Sequence, residues 1–427
     1  MKERIAIIDG LRTPFAKAGG PLAKVAADDL CGRVVRELMV RTGWKGDAVD
    51  ELIVGNVAQP MESANVARII ALKAGLPVGL IASTVHRNCA SGMEAITTAG
   101  NHILADEAEV IVAAGTESMS NIPLIVGKKM TTMFGNLMKA KTVWQKLAVW
   151  STLRPAHLTP IIGVQVGLTD PVCSLNMGQT AEILARDFHV TRQQQDEYAL
   201  ASHQKALKAW ESGRMAEEVM PIATPPYEHM LATDDGPRPG QDLAALAKLK
   251  PYFDRVAGTV TVGNACPLTD GAVATLVMRE SKARALGLKP LGYLRDYAYA
   301  ALEGRRMGLG PVHATAKLLK KSGMRFADFE LIELNEAFAA QVIACERAFA
   351  SAEFCKPLGF DAPIGVIDRE RLNVNGGAIA LGHPVGATGA RLVVTLLKEL
   401  RRRGLKRGLA TLCVGGGQGA ALALETE

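Results

Sequence analysis

The 427-residue chain carries 49 Lys plus Arg against 43 Asp plus Glu, and a surplus of +6 over this length does not predict a nucleic-acid binder. At roughly 100–200 residues per domain the length predicts two or three packed domains. With 48% hydrophobic and 22% charged residues the composition excludes collagen-like, disordered and disulfide-scaffold classes. Seven scattered cysteines with no C-x-x-C pair point to a reducing compartment. The opening MKERIAIIDG has strand character rather than that of a secretory signal, so a cytoplasmic location is expected. No apolar run of about 18 residues predicts a spanning helix.

Apolar runs at 5–8, 52–54, 110–113 and 409–413 alternate with helical patterns, predicting an α/β fold of mainly parallel sheets covered by helices. Residues 27–42 carry apolar Leu30, Val34, Leu38 and Val40 beside charged residues, as an amphipathic helix would. A helix over 191–213 opens with Thr191 and Gln194 at capping-box spacing and ends at Gly213. ELIVGN at 51–56 recurs as ELIELN at 330–335. Each copy leads to a second strand, a Gly- and Ala-rich helix (89–103; 387–402) and a third strand (109–114; 408–413). That order predicts two similar halves with a site at their seam.

Residues 118–169 hold no Asp or Glu but include Lys128, Lys129, Lys139, Lys141, Lys146 and Arg154. Met130, Met133, Phe134, Leu137 and Met138 follow helical spacing, and Trp144 and Leu147 continue it, so a basic amphipathic helix is expected. It is either packed on the core with a solvated basic face, or a membrane-surface or partner-binding element in which Lys139, Lys141 and Lys146 are the candidate contacts.

Cys89, in HRNCASGMEAI, falls where a polar turn enters a helical pattern. Unpaired N–H groups and the helix dipole there are expected to lower a free thiol pKa of about 8.5 and to make the sulfur a nucleophile; the bland reading is a small buried hydrophobe. His383 sits in the glycine-rich GGAIALGHPVGATG, placed to accept a thiol proton or simply to bond backbone. Cys413 ends an apolar strand and enters VGGGQG, so two cysteines and a histidine can converge, the second thiol serving as proton donor. A glycine cluster followed by a terminal strand does not fit a dinucleotide fingerprint; a backbone donor for an oxyanion, as at Gly415, fits better. Asn335, in LNEAFAAQ, either holds a water or an oxyanion or caps the next helix. No metal-site spacing and no G-x-S-x-G motif is found.

NCASG around Cys89, NEAF at 335–338, GHP at 382–384 and the C-x-G-G-G-x-G run from Cys413 together resemble the thiolase family. RTPF (12–15), ESMS (117–120), NMGQTAE (176–182) and GTVTVGNA (258–265) extend the resemblance over essentially the whole chain. It implies a five-layer α-β-α-β-α fold. An N-terminal half (1–118 plus 250–277) and a similar C-terminal half (278–427) would flank an inserted loop domain (119–249) that covers the site and carries the basic segment 128–155. It further implies an acyltransferase that cleaves 3-ketoacyl-CoA with coenzyme A as co-substrate and no cofactor or metal. Cys89 would be the nucleophile, His383 its base and Cys413 the proton shuttle. Asn335 with His383, and the N–H groups of Cys89 and Gly415, would line two oxyanion holes.

Met177, Arg238, Phe253, Cys266, Met307 and Phe338 match positions that contact CoA or the acyl chain, although NACPLTDG around Cys266 departs from the family's NASG form. The long basic segment is similar to that of the β-subunit of the fatty-acid β-oxidation trifunctional complex. This implies medium- or long-chain substrates and a partner with hydratase and dehydrogenase activities; a homodimer or tetramer, and peripheral membrane contact through the basic segment, are separate expectations. NEAF in place of that subgroup's HEAF, and NVNGGAIALGHP, read instead like a short-chain acetoacetyl-CoA thiolase. The rivals are a 3-ketoacyl-carrier-protein synthase, which would replace the second cysteine with histidine, and a non-catalytic lipid- or CoA-binding relative.

Overall fold

The computed structural model describes residues 3–427. Strand β1 (Ile5–Arg12) is followed by α1 (Ala27–Thr42), β2 (Glu51–Gly55), β3 (Ile81–Val85), α2 (Ser91–Leu104) and β4 (Val110–Ser118). Helices α3 (Lys128–Lys139), α4 (Val143–Trp150), α5 (Met177–Asp187) and α6 (Arg192–Glu211) precede β5 (Thr269–Arg279). Then come β6 (Gly292–Ala301), β7 (Leu331–Leu334), α7 (Ala339–Phe349), α8 (Val385–Arg403), β8 (Arg407–Val414) and β9 (Gln418–Glu425).

These strands lie in the order β7-β8-β9-β6-β1-β5-β4-β2-β3. Outward from the β6–β1 seam, the arms β1, β5, β4, β2 and β6, β9, β8, β7 correspond strand for strand, as the internal repeat predicts. The seam itself is short, running only from Ile5↔Leu294 to Ile7↔Gly292. The expectation of mainly parallel sheets is corrected. Only β2–β3, β2–β4 and β7–β8 are parallel, whereas β1–β5, β1–β6, β4–β5, β6–β9 and β8–β9 are antiparallel. The β8–β9 connection is a tight turn over 415–417, which only an antiparallel pair can use. A second difference lies in the C-terminal copy of the repeat, whose second strand is reduced to a single bridge, Ile332↔Leu372.

Alternation along the strands sorts side chains between layers. Val110, Val112 and Ala114 of β4 face an outer core with Leu30, Val34 and Leu38 of α1. Ile111 and Ala113 face a central core that also takes Met93 and Ile96 of α2 and Val393 and Leu397 of α8. Ala410, Leu412 and Val414 of β8 enter the same central core from the other arm, while Leu409 and Cys413 face a third core shared with α7. Helices α2 and α8 therefore form a layer between the two arms, each buried Leu, Ile or Val adding about 1.5–3 kcal/mol.

The reciprocal cap at the start of α6 is formed: Gln194 N donates to Thr191 Oγ1 at 3.2 Å and Thr191 N to Gln194 Oε1 at 3.0 Å. The same device divides the basic segment. Thr142 and Gln145 make a capping box that starts α4, so one expected helix becomes two. The core-packed reading of this segment does not hold, since α3 buries only Met133 and α4 buries no residue. Among the described residues no helix is long and apolar enough to cross a membrane.

Candidate active site

Cys89 and His383 each stand two residues before a central helix, α2 and α8. The helices cross where side chains are missing. A Cβ on Gly92 would lie 2.6 Å from Ala390 N, and one on Gly389 2.6 Å from Met93 N. This close approach brings the two helix starts, one from each half, to one place. Cys413 reaches it from the C-terminal end of β8. Asn88, at φ +44°, donates from Nδ2 to Gly415 O at 2.8 Å and so ties the residue before Cys89 to the turn after Cys413. Asn tolerates this left-handed conformation better than most residues. The backbone N–H groups of Gly415 and of Cys89 itself favour the Cys89 thiolate, and Cys266 and Cys413 lie within electrostatic reach of it.

The expected lowering of the Cys89 pKa is corrected. Burial pushes the thiol up; the Gly415 and Cys89 N–H groups pull it back only in part, and the charge of Glu117 adds to the rise. Cys413 is raised well above the ordinary thiol value by burial and by the neighbouring thiols, so it rests as a proton donor. Burial, together with Arg391, pushes His383 down to about 4, leaving a neutral imidazole. Its Nδ1 lies 2.6 Å from Thr388 Oγ1, whose hydroxyl donates to Pro384 O at 2.9 Å. A hydroxyl has one hydrogen, so Nδ1 carries the imidazole proton and Nε2 keeps a free lone pair. Gly382, at φ +105°, and the donation from His383 N to Thr269 Oγ1 at 3.1 Å hold the loop in place.

Asn335 follows β7 and is fully buried, yet neither its Oδ1 nor its Nδ2 has a partner in the protein. An amide left in this state needs a water or a polar ligand, which fits the water- or oxyanion-holding expectation and not the cap. Its neighbour Glu336 accepts from Tyr198 Oη (3.0 Å) and Ser202 Oγ (2.6 Å) of α6 and from Asn373 Nδ2 (2.9 Å), locking α6 onto this corner. Cys266 N donates to Ala337 O at 3.1 Å. Phe253 packs edge-on to Phe338 with ring centroids 5.9 Å apart and lies flat against Gly178. Met177 Sδ is 3.3 Å from where a Cβ on Gly415 would stand.

Cys89 is thus linked to Gly415, Cys266 and Cys413, Gly415 to Met177, and Cys266 by way of the Ala337–Phe338 turn to Phe253, while the crossing of α2 and α8 brings the His383 loop toward Cys89 and Asn335 N bonds Thr411 O on the strand of Cys413. Met307 is buried in the core that holds Cys413 and Phe338. Arg238 is exposed, on a loop whose Gly236 presses on Ala380, three residues before His383. Lys139, Lys141 and Lys146 are exposed on the basic segment. Among the described residues no group of three or more His, Cys, Asp or Glu is placed to hold a metal ion. Asn88, Glu117 and Thr388 carry no local signal in the sequence beyond lying inside the motifs around Cys89, ESMS and His383.

Comparison with known proteins is consistent over the full length. Residues 5–281 match the family described as thiolase, N-terminal domain, and residues 288–426 match thiolase, C-terminal domain. The chain is 45% identical over 425 residues to a 3-ketoacyl-CoA thiolase of Pectobacterium carotovorum subsp. carotovorum, covering 99% of this chain and 97% of the relative. Among solved structures, a Bacillus anthracis acetyl-CoA acetyltransferase superposes with a TM-score of 0.87 at 38% identity, covering 100% of this chain and 99% of the other. Human mitochondrial 3-ketoacyl-CoA thiolase in complex with CoA gives 0.86 at 33% identity, covering 100% and 98%.

Proposed function

The chain belongs to the thiolase family, and from that premise we propose that Cys89, His383 and Cys413 carry out the CoA-dependent cleavage of 3-ketoacyl-CoA. The enzyme is an acyltransferase. His383 Nε2 takes the Cys89 proton, and the sulfur attacks the 3-keto carbon to give a tetrahedral oxyanion. Its collapse breaks the C2–C3 bond, leaves the shortened acyl group on Cys89 as a thioester and releases the enolate of acetyl-CoA, which Cys413 protonates at C2. A second CoA thiol then gives its proton to the Cys413 thiolate and attacks the acyl-cysteine. Cys89 leaves and recovers its proton from His383. Two thiols and one imidazole return to their starting states, as a transferase requires.

One observation carries this reading. Asn88 ties Gly415 to the residue before Cys89, and the Gly415 and Cys89 N–H groups both lower the Cys89 pKa, which suits a site where the carbonyl oxygen of an acyl-cysteine would accept both. Asn335, with its unpartnered amide, and His383 serve the first oxyanion. Met177, Cys266, Phe253, Met307 and Phe338 form the wall for the acyl and pantetheine parts, and the exposed Arg238 meets the CoA phosphates. We assign 119–249 to a loop domain that covers the site, between halves 1–118 plus 250–277 and 278–427.

The finer reading is a medium- or long-chain enzyme of β-oxidation, homo-oligomeric and cytoplasmic, docked to a hydratase and dehydrogenase subunit. All seven cysteines are free, which suits a reducing compartment. The edge strand β3 leaves Ile81 65% exposed, which suits pairing with a second copy. On α3 and α4, Met138 (88% exposed) and Trp144 (82%) stand among uncompensated lysines, which suits an anionic lipid surface. The experiment is CoA-dependent cleavage across a series from acetoacetyl-CoA to 3-ketohexadecanoyl-CoA, with Cys89→Ser as control. A kcat/KM rising with chain length supports the reading. Preference for acetoacetyl-CoA makes the enzyme short-chain, and turnover by Cys89→Ser removes the mechanism.

A further inference from the structure

Glu117, first residue of the ESMS motif, is buried and touches none of the reacting groups assigned above. It continues the alternation of Ile111 and Ala113 along β4 and so lies on the face that meets α8.

Each Glu117 oxygen accepts two hydrogen bonds. Oε1 takes Asn56 Nδ2 at 3.1 Å and Ala58 N at 2.9 Å; Oε2 takes Val57 N at 3.2 Å and Gly386 N at 3.0 Å. All four partners are donors, leaving no acceptor for a carboxylic proton, so the arrangement selects the ionised form. Gly386 is the second residue of α8, and its N–H is one of those a helix start leaves unbonded. A Cβ on Gly386 would stand 2.5 Å from Thr116 O and 2.9 Å from Asn56 Cα, so the start of α8 is seated on the ends of β2 and β4. The contact joins the half that carries His383 to the half that carries Cys89.

We propose that Glu117 is a positioning residue for catalysis: by holding Gly386 N–H and the 56–58 turn with one carboxylate, it sets the His383 loop against Cys89. This rests on the assignment of Cys89 and His383 as nucleophile and base. Burial pushes the Glu117 carboxyl up to about 7, against the pull of the Ala58, Gly386 and Val57 N–H groups and of Asn56. A carboxylate kept there at that cost to its charged form is an unusual choice for a purely structural plug.

The test is steady-state thiolysis of acetoacetyl-CoA by full-length Glu117→Gln and Glu117→Asp, with thermal melting as a fold check. Gln puts an NH2 group against N–H donors, while Asp keeps the charge but shortens the reach to Gly386. We expect kcat to fall about 10- to 100-fold in Glu117→Gln, as a misplaced catalytic group does, with KM for both substrates within about twofold. Glu117→Asp should recover part of the loss. A lower melting temperature with wild-type kcat in the folded variants would make Glu117 structural only and overturn the proposal. Should Glu117→Gln not fold, Glu117→Asp decides alone: kcat at least about threefold below wild type with KM unchanged supports the role, and wild-type kcat rejects it. Turnover by Cys89→Ser in the same assay would instead remove the underlying assignment.

Discussion

His383 Nδ1 and Thr388 Oγ1 stand 2.6 Å apart within one turn of the α8 start, and the Thr388 hydrogen is committed to Pro384 O. The threonine thus plays the part an orienting carboxylate plays in hydrolases, fixing which imidazole nitrogen is bare, without adding a charge. Burial, together with the charge of Arg391, keeps the histidine neutral down to about pH 4.

Thr388→Val keeps the shape and removes the acceptor. The Nδ1–H is then left unpaired in a dry site, at about 1–3 kcal/mol, and the tautomer with a bare Nε2 loses its advantage. Expressed as rate, kcat is expected to drop about 5- to 150-fold, with Thr388→Ser retaining most of the wild-type value. Wild-type turnover by Thr388→Val would show that another group orients the ring.

Asn88 acts through Gly415. Asn88→Gly preserves the left-handed backbone and deletes the amide that holds Gly415 O. Losing an oxyanion donor outright costs about 10²–10³ in kcat, so loosening one should cost about 10- to 100-fold. The deficit should appear in single-turnover transfer from the acyl-enzyme to CoA. Equal transfer rates in variant and wild type would separate the clamp from the oxyanion hole.

The raised Cys89 pKa sets a pH dependence. The reactive form is the thiolate, and a pKa held above the ordinary thiol value leaves Cys89 mostly protonated at neutral pH. Its alkylation by iodoacetamide should therefore climb about tenfold per pH unit through neutrality and into the alkaline range. His383 titrates near 4 and adds no limb above pH 5. A plateau near pH 7 would mean that the backbone donors outweigh burial.

Cys89, His383 and Cys413 stood out as candidates because such chemistry needs small residues and glycines where strands give way to helices, and that requirement is written locally. Asn88 did not, since its function exists only once Gly415 arrives beside it from the far end of the chain. The parallel expectation failed for a related reason. Periodicity shows that β5 and β9 are buried strands but says nothing of their direction, which the turn at 415–417 decides. The break in the basic segment was readable, because Thr142 and Gln145 repeat the cap recognised at Thr191 and Gln194.

That broken helix pair carries the remaining prediction. Between 118 and 169 no acidic residue offsets Lys128, Lys129, Lys139, Lys141, Lys146 and Arg154, while Met138, Val143, Trp144 and Leu147 are each more than half exposed. Each lysine near an anionic lipid surface contributes about 1 kcal/mol. Reversing Lys139, Lys141 and Lys146 to Glu should therefore weaken co-sedimentation with phosphatidylserine vesicles by at least about 100-fold. Salt should weaken wild-type binding in the same way. Acetoacetyl-CoA turnover should stay within about twofold, because none of the three packs against the reacting groups. Unchanged sedimentation would reduce the segment to scaffold. Loss of a co-purifying protein without loss of vesicle binding would turn the same exposed face toward a protein partner instead.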